Sequence, residues 1–199
     1  MNKSLLLSVC ALALTGCLNL GEKNAPAVVH YVLSDTTPTA AAIAANPDAP
    51  TLLVLDTTTS RFYSSEQLVF SRHAGTRGQY QFARWTERPG KRFADLMRAR
   101  LNQHSAWRVS AAGGHVRGDM LLNTELIEFY HDAASSPGQV RLELRAELVD
   151  LKQRTLLGRR IFLQTTPLAT YDASGAALAS NLAVSRALDE LTAWLASFR

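Results

Sequence analysis

The sequence predicts a single α+β domain, in which a mixed, mostly antiparallel sheet is packed by two amphipathic helices. Residues 119–164 consist mainly of β-type runs separated by turn residues, which predicts a long C-terminal antiparallel meander. Apolar residues recur at helical spacing in 89–104 and again in 176–198. The 199 residues are 47% hydrophobic and 19% charged, which is typical of a globular domain rather than of a disordered chain.

Residues 1–16 are typical of a bacterial lipoprotein signal peptide. Lys3 is followed by an apolar run over 4–14, which is too short to span a bilayer because a spanning helix needs ~20 residues. Thr15 and Gly16 then precede a cysteine, as lipoprotein processing requires. A secretory signal with a chance cysteine, or a buried N-terminal helix, is the alternative interpretation.

Cys17 is the expected lipidation site. We expect residues 17–30 to comprise the lipidated cysteine and a tether, and 31–199 to form the folded domain. Leu18 follows the cysteine where enterobacterial lipoproteins of the inner membrane carry Asp, which favours the outer membrane. The ~14 residues of tether reach at most about 50 Å, so the domain must work close to its membrane. Because Cys10 leaves with the signal peptide, the exported chain has no disulfide.

The first half of the domain is expected to supply short strands. Residues 30–33 and 51–56 are compact β-type runs, and the alanine- and proline-rich stretch 36–50 between them predicts a surface loop. Residues 66–72 and 79–85 predict a hairpin, since the connection between them holds two glycines.

The first helix is predicted over 89–104. Pro89 suits the first helical position, where its missing N–H costs nothing. One face is apolar, and either Arg100 or Leu101 continues it towards His104. A local basic cluster predicts a solvated helix face, with contact to a partner or to anionic headgroups as the alternative; it comprises Arg84, Arg88, Lys91, Arg92, Arg98 and Arg100. Nucleic acid is not an expected partner of an exported lipoprotein.

The C-terminal half shows the clearest periodicity. A strand is expected over 106–111, and in 140–150 apolar residues alternate with charged ones, which predicts a strand with one buried and one charge-paired face. A further strand is expected over 156–164. The last helix, 176–198, carries an apolar stripe that we expect to pack within its own domain. The stripe consists of Val184, Leu188, Leu191, Leu195 and Phe198.

Catalytic, cofactor and metal motifs are missing from the sequence. No two of the five histidines stand at the i, i+4 spacing of a helical zinc site, and nucleophile elbows, phosphate loops and dinucleotide fingerprints do not occur. We therefore expect no enzyme and no cofactor. An anchored hydrolase is a weaker alternative, and its structural sign would be a buried Ser or Asp beside His131 or His115.

In combination, these features resemble the ABC-type transport auxiliary lipoprotein family. The resemblance rests on the lipoprotein processing motif at 14–17 with its tether, on strands at 31–33 and 52–55, and on a passage with Tyr80, Arg84, Trp85 and Pro89. Weaker support comes from the last helix, which carries Ala187-Leu188 and Trp194-Leu195. The long alanine-rich loop departs from the family pattern, and no role is transferred to it.

The resemblance implies a non-enzymatic partner of an ABC transporter, anchored in the outer membrane. Such a protein would work with a periplasmic protein of the mammalian-cell-entry type in lipid transport between membranes, and copies would assemble as rings. Arg84 and Trp85 are then candidate partner contacts, since Arg and Trp are enriched at interface hot spots. For Trp85 the simplest interpretation is a core or sheet-edge aromatic, with partner contact as the alternative. The alternative function is an activator or scaffold for cell-envelope synthesis.

Overall fold

The computed structural model describes residues 26–37, 48–105, 107–113 and 115–198. The expected signal peptide, Cys17 and most of the 36–50 loop lie outside these residues. The described ranges form nine strands and two long helices. In chain order the elements are β1 (Val29–Tyr31), β2 (Thr51–Val54), β3 (Thr58–Thr59), a 3-10 turn (Arg61–Tyr63), β4 (Gln67–Ser71), β5 (Gly78–Trp85), α1 (Pro89–His104), β6 (Arg108–Ala111), β7 (Met120–Asp132), β8 (Gln139–Asp150), β9 (Thr155–Pro167) and α2 (Ala173–Ala196).

The predicted C-terminal meander is confirmed. β7, β8 and β9 pair antiparallel along almost their whole lengths. The apolar residues of β8 are buried under the helices, while its charged residues lie on the open face of the sheet. There, Arg141 pairs with Asp132 at 2.9 Å, and Arg145 pairs with Glu125. Such exposed pairs contribute little to stability, so the buried face of the meander dominates.

The second edge of β7 organises the rest of the sheet. β2, β3 and β4 each pair with β7 in parallel, at successive points along its length. β2 continues to β6, while β4 continues through β5 to β1. The long strands are thus antiparallel, as predicted, but short parallel pairs make the sheet mixed. These parallel pairs join segments far apart in the chain, which residue patterns along one segment do not reveal.

The predicted hairpin is confirmed as β4 and β5, with an irregularity. The two strands pair antiparallel, but their register shifts between Gln67 and Val69. Gln67 faces Arg84, whereas Val69 faces Gln79, so β5 carries extra residues relative to β4. A bulge of this kind redirects side chains along the longer strand.

Both helices cover one face of the sheet. α1 begins at Pro89 and ends at His104, as predicted, and buries Phe93 and Met97. α2 begins three residues earlier than predicted because Asp172 caps it, accepting a hydrogen bond from the Gly175 N–H at 2.7 Å. The expected apolar stripe of α2 packs inside the domain, with four of its members fully buried: Val184, Leu188, Leu191 and Leu195.

The segment 32–37, which we call the strap, lies between the two helices. Its Leu33 side chain is buried, and the Leu33 carbonyl accepts a hydrogen bond from Arg92 of α1 at 2.9 Å. On the other side, two strap amides donate to Asn181 and Ser185 of α2, at 3.0 and 2.7 Å. The strap therefore joins both helices to the N-terminal strand.

Arg100 corrects one expectation about the basic cluster. Its side chain is only 4% exposed, so it does not belong to a solvated helix face. It binds the strap residue Asp35 through two hydrogen bonds of 2.6 and 2.8 Å, and it also pairs with Asp189 of α2. Burial raises the pKa of the Asp35 carboxyl, but the hydrogen bonds from Arg100 and the Thr37 amide outweigh this effect and hold the pKa below its usual value.

Candidate functional site

Trp85, one of the two predicted contact residues, lies in the core. Its side chain is 3% exposed, and its ring stacks on Phe129 of β7 with the ring centroids 5.8 Å apart. This location corresponds to the core interpretation of Trp85. Pro89, four residues further on, is also buried, at the first position of α1.

Arg84 lies next to Trp85 on the opposite face of β5. Its strand neighbours are His30 of β1 and Gln67 of β4. The residue is half-buried, and among the described residues its guanidinium has no hydrogen bond and no ion pair. Arg84 is thus the member of the predicted contact pair whose charge is available to a partner.

The other basic residues near α1 are largely engaged within the domain. Lys91 lies 3.2 Å from both Glu87 and Asp95. Arg98 pairs with Asp95 at 2.6 Å and with Asp56 at 3.2 Å. The basic cluster of the sequence is therefore mostly a set of local ion pairs rather than a continuous cationic surface.

Tyr80 of β5 lines an aromatic pocket of about 280 Å3, which it shares with residues of β4 and of the end of β7. The lining residues are Phe70, Arg72, Gln79, Tyr80, Gln81, His131, Ala133 and Tyr171. The Tyr80 and His131 rings are stacked, with centroids 6.3 Å apart, and Tyr171 meets His131 edge-on at 5.5 Å. Residues five apart normally point to opposite faces of a strand, yet Tyr80 and Trp85 both contact buried side chains of β7. The bulge in the hairpin lies between them and accounts for their common orientation.

Both ring nitrogens of His131 are engaged. Nε2 donates to the Pro137 carbonyl at 3.3 Å, which leaves Nδ1 to accept a hydrogen bond from the Tyr80 hydroxyl at 2.7 Å. Burial lowers the pKa of His131, and burial also raises the pKa of Tyr80 to about 12. Both shifts favour the neutral forms of the two side chains, in which the Tyr80 hydroxyl donates to His131.

Gly138 allows the chain to pass close to His131. A Cβ atom at this position would lie 2.5 Å from the His131 Nε2 and 2.5 Å from the Asp132 carbonyl. Its backbone also has a φ of +79°, which glycine adopts without strain. Gly138 and Tyr171 shape the site, but neither stands in a sequence motif that would have indicated it.

The structural sign of a hydrolase is not found in the described ranges. The ring of His131 contacts Tyr80 and Pro137 rather than a serine or a carboxylate, and the adjacent Asp132 is bound to Arg141 on the other face of the sheet. His115 is exposed. The described residues also contain no cluster of His, Cys, Asp and Glu that could hold a metal ion. What β5 offers is an aromatic pocket at Tyr80 and, four residues further along the strand, an arginine without an ion pair in the described residues.

Acidification is expected to destabilise the protein through His131. Because the folded pKa of His131 lies below the ordinary value of about 6.5, the unfolded chain takes up the proton more readily. The free energy of unfolding should therefore fall as the pH drops from about 7 to about 5. Urea unfolding across this range measures the slope, and the slope should be shallower in the His131→Gln variant. Identical slopes in the two proteins would contradict the assignment.

Comparisons with known proteins extend this description. A model of the family described as ABC-type transport auxiliary lipoprotein component matches residues 31–196. Among solved structures, the chain is similar to protein XCC0632 of Xanthomonas campestris, from the DUF330 family, with a TM-score of 0.70 at 21% identity, covering 84% of this chain and 94% of that one. It is also similar to hypothetical protein CT253 of Chlamydia trachomatis, with a TM-score of 0.51 at 12% identity and coverage of 74% and 96%. At these identities the likeness shows a shared fold. A search of curated proteins finds no match.

Within the described ranges, no helix is long and apolar enough to cross a bilayer.

Proposed function

The chain belongs to the family of ABC-type transport auxiliary lipoprotein components, and we propose from this that it is the outer-membrane-anchored auxiliary component of an intermembrane lipid transport system. It acts in this proposal by protein–protein contact and carries out no reaction. The single observation that supports it best is the family match, which spans the folded domain from β1 to the end of α2.

The proposed partner is a periplasmic protein of the mammalian-cell-entry type. Arg84 is the proposed contact residue, since its charge has no counterpart within the described part of the chain and it is already half-buried. An arginine of this kind loses less freedom on binding than a fully solvated one and can bind a carboxylate through two hydrogen bonds. Trp85 supports the contact from behind, by fixing β5 on the core.

Membrane attachment is the second part of the proposal. Cys17 carries the lipid and Leu18 directs the protein to the outer membrane, while the tether keeps the domain near that membrane. Copies assemble as a ring that receives the end of the transport conduit. These statements rest on the N-terminal sequence and on the family.

Cross-linking followed by affinity purification from detergent-solubilised membranes tests the proposed partner. The tagged protein should recover a mammalian-cell-entry-type protein, and Arg84→Ala should reduce this recovery about tenfold or more, as for an interface hot spot of about 1.4 kcal/mol or above. The matched control is Arg186→Ala, which removes an exposed arginine from α2 and should leave the recovery unchanged.

Two outcomes would contradict the proposal. Consistent absence of an entry-type protein under cross-linking would reject the partner. Recovery of a cell-wall synthase in its place would support the alternative of a cell-envelope activator. If the partner is recovered but Arg84→Ala and Arg186→Ala behave alike, the partner stands and Arg84 is not its contact.

A further inference from the structure

β9 forms a long outer edge of the sheet. It pairs with β8 on one side, and within the described residues no strand pairs with its other side. The strand runs from Thr155 to Pro167, so its outer edge presents a row of backbone N–H and C=O groups over 13 residues. Proteins usually protect such an edge, because it can pair with a strand of another chain.

β9 carries two of the features that blunt an edge strand, namely its two arginines and an irregularity at Leu157, where the register with β8 shifts, but other features are missing. It contains no lysine and no acidic residue, and its proline is the last residue. Large apolar side chains are instead exposed: Leu163 is 67% exposed, Ile161 50% and Leu157 38%. Leu163 has the largest exposed fraction among the large hydrophobic residues that the structure describes. An edge with these side chains is suited to association.

Both arginines of β9 contact groups within the chain, but among the described residues only Arg159 has a carboxylate partner. Arg159 pairs with Glu147 of β8 at 2.8 Å. The Arg160 guanidinium lies over the Phe162 ring, 5.2 Å from its centroid. A cation–π contact leaves the guanidinium charged, so a register that brings the Arg160 residues of two copies together is unfavourable.

One antiparallel register of two β9 strands keeps their like charges apart. In an antiparallel pair of identical strands centred on Ile161, the whole of β9 overlaps with its copy, because Ile161 is the middle residue of the strand. Leu163 then faces Arg159 of the second copy, and Arg160 faces Phe162. Centring the pair on Arg159 or on Arg160 would instead place identical cations opposite each other, which is unfavourable. The register at Ile161 combines the greatest overlap with the absence of like charges in opposition.

We propose that two copies of this chain associate by antiparallel pairing of their β9 strands about Ile161, so that one sheet continues through both molecules. The contact uses the same surface on both copies, and it therefore differs from the head-to-tail contacts that build a ring. It does not depend on the identity of the transport partner or on Arg84.

A single cysteine at the proposed axis tests the register. Directly opposed Cβ atoms in an antiparallel pair lie about 4.5–5.5 Å apart, close to the separation that a disulfide needs. In the full-length chain exported to an oxidising compartment, Ile161→Cys should form a covalent dimer on a non-reducing gel, above the background of the unsubstituted chain. Thr165→Cys should not, since Thr165 lies four residues from the axis and does not face Thr165 of the second copy. Absence of the Ile161→Cys dimer, or equal dimer from Thr165→Cys, would overturn the proposal.

A charge at the same position tests the association itself. Ile161→Lys places two ammonium groups opposite each other at an exposed position, so co-purification of two differently tagged copies should fall about tenfold or more. Leu178→Lys is the matched control, because Leu178 is a similarly exposed leucine on α2, and it should leave co-purification unchanged. Equal co-purification of Ile161→Lys and the unsubstituted chain would overturn the proposal even if other oligomers form.

Discussion

Replacing Trp85 by alanine is expected to lower the free energy of unfolding by about 3–5 kcal/mol. The indole is almost fully buried and stacks on Phe129, between the hairpin and β7. Its removal both loses apolar burial and leaves a cavity that the strands cannot close, since β7 is held on its other edge by β8 along nearly its whole length. Urea unfolding of the mature chain, followed by circular dichroism, measures the loss.

Two variants separate the core role of Trp85 from a role in contact with a partner. Trp85→Phe keeps a ring against Phe129 and should cost less than the alanine variant. Arg84→Ala changes the neighbouring residue on the other face and should stay within about 0.5 kcal/mol of the unsubstituted protein, as surface substitutions usually do. A loss below about 1 kcal/mol in Trp85→Ala would contradict the core assignment.

Replacing Cys17 by serine is expected to release the protein from the membrane fraction and to abolish its proposed transport function, with the fold left intact. The cysteine thiol is the proposed site of diacylation, and acyl chains hold a protein to a bilayer by about 0.8 kcal/mol for each buried CH2 group. The folded domain begins well after this position, so the free energy of unfolding should not change. Membrane fractionation, unfolding and a transport assay measure the three effects.

Leu18→Asp is the matched control for localisation. It keeps the lipidated cysteine, so the protein should stay in the membrane fraction, but it should move from the outer to the inner membrane on a density gradient. Full transport activity in a soluble Cys17→Ser protein would contradict the role of the anchor. An unchanged gradient position for Leu18→Asp would contradict the assignment of the outer membrane to Leu18.

Elements with strong local patterns were predictable from the sequence. α1 follows from Pro89 and an apolar face of regular spacing, and β8 follows from strict alternation of apolar and charged residues. The start of α2 was missed because capping by Asp172 depends on one side chain rather than on periodicity. The residues that determine α1 and β8 lie close together in the chain, so the sequence contains most of the information that these two elements require.

The candidate site depends on contacts between distant parts of the chain. His131 meets Tyr80 and Tyr171 across 51 and 40 residues of sequence, and a bulge turns Tyr80 towards the core. The sequence left open whether Arg100 is buried or solvated, because it lies between the apolar and polar faces of α1. Its burial depends on Asp35, 65 residues away. A single sequence carries no signal for such partners, which is why the pocket and the ion pair were not predicted.

The strap gives the membrane anchor a mechanical connection to the whole domain. Tension on the tether reaches β1 first and then the strap, whose amides, carbonyl and Asp35 are bound to both helices at once. To peel the N-terminal segment away, a pulling force must separate β1 from β5 and then break the bonds of the strap to both helices. If Cys17 is the anchor as proposed, a load applied there is passed through the strap to both α1 and α2.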